Sequence, residues 1–205
     1  MANEKELSGE QSLAIIHQMI NQAKSNITDS GLSWLVWGIM LFLASISTYF
    51  LINIGSVDLF MAWNIFGVVT IVLLTYDILK PKKKPVRTYV DDLLRIVDLG
   101  FMISIFLIIF SINIDAVSPS AGFGFFLMIF AFLMLIKGSA IKSRALIIGA
   151  IVNWAGAIAV FVIKNFQFTM LIMAVAVLIG YIIPGLLLRA QYKKNNHILK
   201  TNPML

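Results

Sequence analysis

Six apolar runs, each close to the length that crosses a bilayer, lie along this chain, and none carries an ionisable side chain near its midpoint. A helix rises about 1.5 Å per residue, so about 20 residues cover ~30 Å of hydrocarbon. The runs are Leu32–Asn53, Leu59–Leu79, Ile96–Ile114, Ala121–Ile136, Ala145–Ile163 and Phe166–Leu188. The fourth is the shortest and needs either an earlier start or less tilt. Of 205 residues, 60% are hydrophobic and only 13% charged. A soluble fold of that size cannot hide so much apolar surface. A soluble enzyme, a disordered chain and a free nucleic-acid binder are excluded. The sequence predicts an all-α polytopic membrane protein with six transmembrane helices. Its organisation reads as a cytoplasmic segment over 1–30, a membrane domain over 31–190 and a basic cytoplasmic tail over 191–205.

The links between the runs set the expected orientation. Ile54–Asp58 and Asp115–Ser120 hold no Lys or Arg, and Lys164 stands alone between the fifth and sixth runs. The stretch Lys80–Arg87, with Arg95, and the link bearing Lys137, Lys142 and Arg144 are basic, as is the tail with Arg189, Lys193, Lys194 and Lys200. With Lys5 and Lys24, fifteen of the sixteen basic residues fall on one side. The positive-inside rule then places both termini in the cytoplasm of a bacterial inner membrane. The layout reads as three helical hairpins, each closed by a short exterior turn. The first run is read as a span, since Glu4, Glu6 and Glu10 precede it where a signal peptide would be basic.

Before the first span, Ser8 and Gln11 have capping-box spacing, and Leu13, Ile16, Met19, Ile20, Ala23 and Ile27 recur every three or four residues. That predicts an amphipathic helix. Its stripe can pack on the protein's own cytoplasmic ends, dock a protein partner through Leu13, Ile16, Met19, Ile20 and Ile27, or lie on the membrane. Lys24 is its single base, so attraction to anionic lipid is weak there. After Pro81 and Pro85, the segment Thr88–Val97 is expected to extend the third span into the cytoplasm.

Residues for chemistry are few. Cysteine is absent, and His17 and His197 lie outside the apolar runs. Tyr76-Asp77 and Asp98 invite comparison with an intramembrane aspartyl dyad, but Arg95-Ile96-Val97 stands where such a site has glycines. The two carboxylates read instead as interfacial partners of Lys80, Lys82 or Arg95. Gly31-Leu32-Ser33-Trp34-Leu35 lacks the closing glycine of a nucleophile elbow. No enzymatic activity, cofactor or metal is expected.

Neutral polar residues are more informative. Asn64, Asn113 and Asn153 either line a substrate path or hydrogen-bond across helix interfaces, as an amide in lipid seeks a partner. Gly100 with Ser104, Ala155 with Ala159, and Ala176 with Gly180 have the spacing of close helix contacts, compatible with a packed bundle and with a homo-oligomer. Ile182-Ile183-Pro184-Gly185 should weaken or kink the sixth helix. Trp34, Trp37, Trp63, Tyr49, Tyr76 and Tyr181 suggest an aromatic belt, and the phenylalanines dense from Phe123 to Phe132 face lipid or core. Lys82, Lys83 and Lys84 can attract anionic lipid headgroups.

Over residues 32–190 the layout, with Trp37-Gly38 and Trp63-x-x-x-Gly67, resembles bacterial six-helix membrane proteins such as the acid-resistance membrane protein family. The resemblance implies a three-hairpin membrane fold and carries over no functional residue. Two functions are expected from the residues. The first is a non-enzymatic membrane protein that engages a protein partner, in a regulatory or scaffold role, at its cytoplasmic face. The alternative is a transporter or channel for a neutral or lipid-like molecule passing Asn64, Asn113 and Asn153.

Overall fold

The computed structural model describes residues 31–56, 58–79 and 89–201, and every regular element in them is helical. The helices are α1 (Leu32–Asn53), α2 (Met61–Leu79), α3 (Tyr89–Asn113), α4 (Pro119–Ala140), α5 (Arg144–Ile163), α6 (Phe166–Val177) and α7 (Ile183–Thr201). A single π turn, Leu178–Ile182, joins α6 to α7 without a break in the rod. Five helical stretches are long and apolar enough to cross a membrane, and the apolar stretch Met61–Leu73 is shorter. The amphipathic stripe Leu13–Ile27 and the Lys82–Lys84 run lie outside the described residues.

Local sequence explains the helix ends. Ser118 accepts from the Ala121 N–H at 3.4 Å and Pro119 occupies the first turn, so α4 starts before its apolar run does. At its other end the helix continues through Lys137 to Ala140. These two extensions give the shortest apolar run a 22-residue helix. Asn165 caps α6 by accepting from the Phe168 N–H at 3.2 Å. Helix α3 begins at Tyr89, as the Thr88–Val97 pattern predicts.

The π turn has a clear cause in Pro184. A proline ring clashes with the carbonyl four residues back, here that of Gly180, and supplies no N–H to it. The wider turn takes that carbonyl out of α register, and Ile183 donates to Leu178 O, five residues back. The freed Gly180 carbonyl turns toward α5. A Cβ added at Gly149 would lie 2.6 Å from Gly180 O and 2.6 Å from Met134 Cε. Here α5 and the last helix cross backbone to backbone.

A four-part core results. The most extensive helix pair is α4 with α5, joined by the link Ile141–Ser143, and α1 packs along α6, the π turn and α7. Gly31, with φ +68°, lies so close to α7 that an added Cβ would sit 2.6 Å from Gly185 O. Leu127, Met134, Leu146, Val160, Met170, Met173 and Val177 are fully enclosed. A column of rings runs the length of the bundle: Trp34 to Tyr181 (5.5 Å), Tyr181 to Phe130 (5.7 Å), Phe130 to Phe126 (6.3 Å), Phe126 to Phe123 (5.5 Å) and Phe123 to Trp63 (4.7 Å). Such contacts add about 0.5–1.5 kcal/mol each beyond burial. Trp34 and Tyr181 thus belong to the core and not to a boundary belt. Phe123, Phe126 and Phe130 are buried, whereas Phe125 and Phe132 are exposed.

Helices α2 and α3 are peripheral. Among the described residues, the only helix backbone close to α2 is α1, the only one close to α3 is α4, and α2 and α3 do not meet. Trp63 carries α2 across to α4, through its ring on Phe123. An added Cβ at Gly67 or Gly100 would find nothing within 4 Å. Of the three small-residue pairs, Ala176 with Gly180 is packed inside the core, Gly100 with Ser104 faces open space, and Ala155 is exposed.

Candidate functional site

The polar side chains of the apolar helices are the groups available for chemistry or binding, and most are satisfied by their own helix. Ser45, Thr48, Thr75, Ser104, Ser111, Asn113 and Thr169 each donate to the carbonyl four residues back, at 2.7–2.9 Å. A hydroxyl or amide in an apolar surround needs a partner, and the i−4 carbonyl is the nearest one. Interhelical bonding, expected of the amides, is therefore rare. It occurs between Gln167 Nε2 and Asn53 Oδ1 at 2.9 Å, linking the ends of α6 and α1, and from Asn153 Nδ2 on α5 to Met134 Sδ on α4 at 3.5 Å.

Asn153 is the exception in depth. It is fully buried on α5, opposite the π turn. Its Nδ2 donates to Gly149 O at 2.8 Å and leans on Met134 Sδ at 3.5 Å. Its Oδ1 is buried without a donor. On α2, Trp63 Nε1 and Thr70 Oγ1 are also buried and unpartnered.

The three amides of the expected substrate path do not come together. Asn64 is exposed near the start of α2 and lines an open depression of about 340 Å³ with Asp58, Leu59, Phe60, Met61 and Ile65. Asn113 is exposed at the last residue of α3 and bonded to Ile109 O. Asn153 is sealed in the core.

The carboxylates are separated too. Asp98 holds Lys137 at 2.7 Å, across from α3 to α4; of the expected partners, Lys80 and Lys82 lie outside the described residues. The Asp77 side chain lies outside the described residues, and the two helices bearing these aspartates do not meet. Lys137 also sits 5.8 Å from the centre of the Trp34 ring. The Lys137–Asp98 pair is half exposed, so Asp98→Asn should cost no more than about 1 kcal/mol, shrinking further with added salt. Chemical or thermal unfolding at low and high ionic strength checks this. A loss that is several times larger, or indifferent to salt, would refute it.

These contacts gather Lys137, Lys142, Arg144 and Arg189 at one end of the bundle. Gly31 meets α7 beside Arg189, Trp34 meets Lys137, and Lys137 meets Asp98. At that end Lys142, Ser143, Arg144, Ala145, Leu187, Leu188 and Gln191 line a cavity of about 230 Å³. The opposite end carries the Asn53–Gln167 bond and the Phe60–Phe166 contact. In the sequence Lys142 and Arg144 count only toward orientation. Nothing in a linear reading brings Gln191 and Leu188 to them, because that needs the crossing of α5 with α7. Among the described residues, no group of three or more His, Asp or Glu side chains is placed to hold a metal ion. Compared with protein-family models, with curated proteins and with solved structures, the chain shows no match.

Proposed function

We propose that this chain is a six-span integral membrane protein of a bacterial inner membrane, with both termini cytoplasmic, that acts by binding a protein partner at its basic end in a regulatory or scaffold role. The observation that carries the reading is the clustering of Lys137, Lys142, Arg144 and Arg189 at one end of an otherwise apolar bundle. The α2 helix counts as a span in this reading, which makes the layout three hairpins. The amphipathic stripe of Leu13, Ile16, Met19, Ile20 and Ile27 enters the same side of the membrane and supplies the docking face. The transport reading has less support. Its three amides lie at separate places, one of them enclosed and two on the outer surface.

Two measurements test the proposal. The chain has no cysteine, so single cysteines report sidedness directly. Ser56→Cys and Ser118→Cys should react with an impermeant maleimide on intact cells, and Ser139→Cys and Lys193→Cys only after permeabilisation. The opposite pattern, or labelling of Ser56→Cys and Ser139→Cys from the same side, defeats the orientation. For the role, the full chain is taken from native membranes into nanodiscs and everything retained is identified by mass spectrometry. A stoichiometric protein lost on deleting residues 8–27 supports partner docking. A retained metabolite without any protein, or a partner indifferent to the deletion, counts against it.

A further inference from the structure

We infer that the cavity between the start of α5 and the inner face of α7 is a binding site for the phosphate of an anionic glycerophospholipid. The inference rests on the membrane reading above, but on its depth in the bilayer and not on which leaflet it faces. Three features of the site converge. First, two cations line one half-open cavity of about 230 Å³: Lys142 and Arg144, both exposed and neither with an ion pair among the described residues. Among the described residues the carboxylate of Asp98 is held by Lys137 and not by either of these cations. An arginine fork and an ammonium together match a phosphodiester, which offers two anionic oxygens to a bidentate donor and a point charge.

Second, the walls are of two kinds. Ser143 and Gln191 add neutral hydrogen-bonding groups next to the cations, while Ala145, Leu187 and Leu188 make an apolar side. Leu188 is buried, and Leu187 is half exposed beside it. A free inorganic anion has no use for an apolar wall. A lipid headgroup has a glycerol and the tops of two acyl chains to place there.

Third, the depth is right. Arg144 is the first residue of a 20-residue apolar helix, so its guanidinium lies where hydrocarbon gives way to headgroups. Ser143 occupies the capping position of that helix without its hydroxyl taking a first-turn N–H, so that hydroxyl is free to turn to the ligand. Lys142 is held in a left-handed conformation, φ 55°, by the tight link from α4, which fixes the direction in which its side chain leaves the turn.

The test uses the full-length protein purified in an uncharged detergent, with native mass spectrometry counting bound lipid. Phosphatidylglycerol, phosphatidylcholine and inorganic phosphate are the probes. The wild type should hold one phosphatidylglycerol at least tenfold more tightly than phosphatidylcholine. Lys142→Asn with Arg144→Gln should lose that preference by tenfold or more; asparagine tolerates the left-handed backbone. A control of equal charge, Lys193→Gln with Lys194→Gln, should change it by less than twofold. Arg144→Lys, which keeps the charge and removes the fork, should fall between. Loss of preference in the control as large as in the cavity variant would reduce the effect to general surface charge and overturn the site. Inorganic phosphate competing as well as the lipid would show an anion site without a lipid, which also overturns it. Cysteine labelling reports sidedness alone, so a failed orientation and a failed lipid site are distinguishable.

Discussion

Alanine at Gly149 is expected to lower the stability of the folded bundle by about 3 kcal/mol, the upper end of what overpacking a closed site costs. The new methyl would fall 2.6 Å from Gly180 O and 2.6 Å from Met134 Cε. Met134 can turn away, but Gly180 O is backbone held in the π turn, so relief requires α5 and the last helix to separate. That separation would also loosen Asn153 and the rings of Tyr181 and Phe130, which share the crossing. The same substitution at Gly67 or Gly100 should have the opposite sign. Neither position has a neighbour within 4 Å, and alanine is the better helix former by about 0.5–1 kcal/mol. Reversible unfolding in mixed micelles, followed by far-UV circular dichroism, compares the three. Equal effects at Gly149 and Gly100 would show that the crossing is not where the bundle is tightest.

Asn153→Asp is the second large effect. The amide gives its two protons to Gly149 O and Met134 Sδ, and its own oxygen has no donor nearby. A carboxylate in that place has no proton to give, faces a carbonyl oxygen and meets no cation. An uncompensated charge in such a setting costs about 3–5 kcal/mol. Asn153→Ala should cost only about 1 kcal/mol, the net worth of an ordinary hydrogen bond, because it also removes the unpartnered oxygen. The gap between the two variants is the measurement. If Asp and Ala were equally tolerated, the amide would have to be in contact with water, and a polar path through the bundle would regain its standing.

The boundaries of the helices were largely legible in the chain; their partners were not. Leu32–Asn53 is both an apolar run and a helix with the same ends. The early start of α4 is written in Ser118-Pro119, a capping residue followed by proline, and the disturbance before Gly185 is written in Pro184. Facing is harder. In a soluble helix the buried stripe differs from the wet side, but here lipid and neighbour are both apolar, so hydrophobicity does not say which side packs. Gly100 with Ser104 and Ala176 with Gly180 look alike in sequence, yet only the second pair lies in a crossing. The amides misled for a related reason. Asn113 finds Ile109 O on its own helix, so its presence demanded no partner on another. The basic cavity was out of reach because Arg144 and Gln191 meet only through tertiary packing.

The pairing of α1 with α6 and α7 has a consequence for how the chain is made. Asn53 and Gln167, which join the two, are 114 residues apart, so the first helix enters the bilayer long before its main partner leaves the ribosome. During that interval the face bearing Trp34, Leu41, Ala44, Ser45 and Thr48 must stand against lipid or against the insertion machinery. It can do so because Ser45 and Thr48 already bond the carbonyls of Leu41 and Ala44 and need nothing from the later helix. Synthesis order therefore explains a choice that stability alone leaves arbitrary. Hydroxyls that look inward in the finished protein are satisfied locally, which lets the earlier helix wait for the later one without an exposed polar group in the lipid.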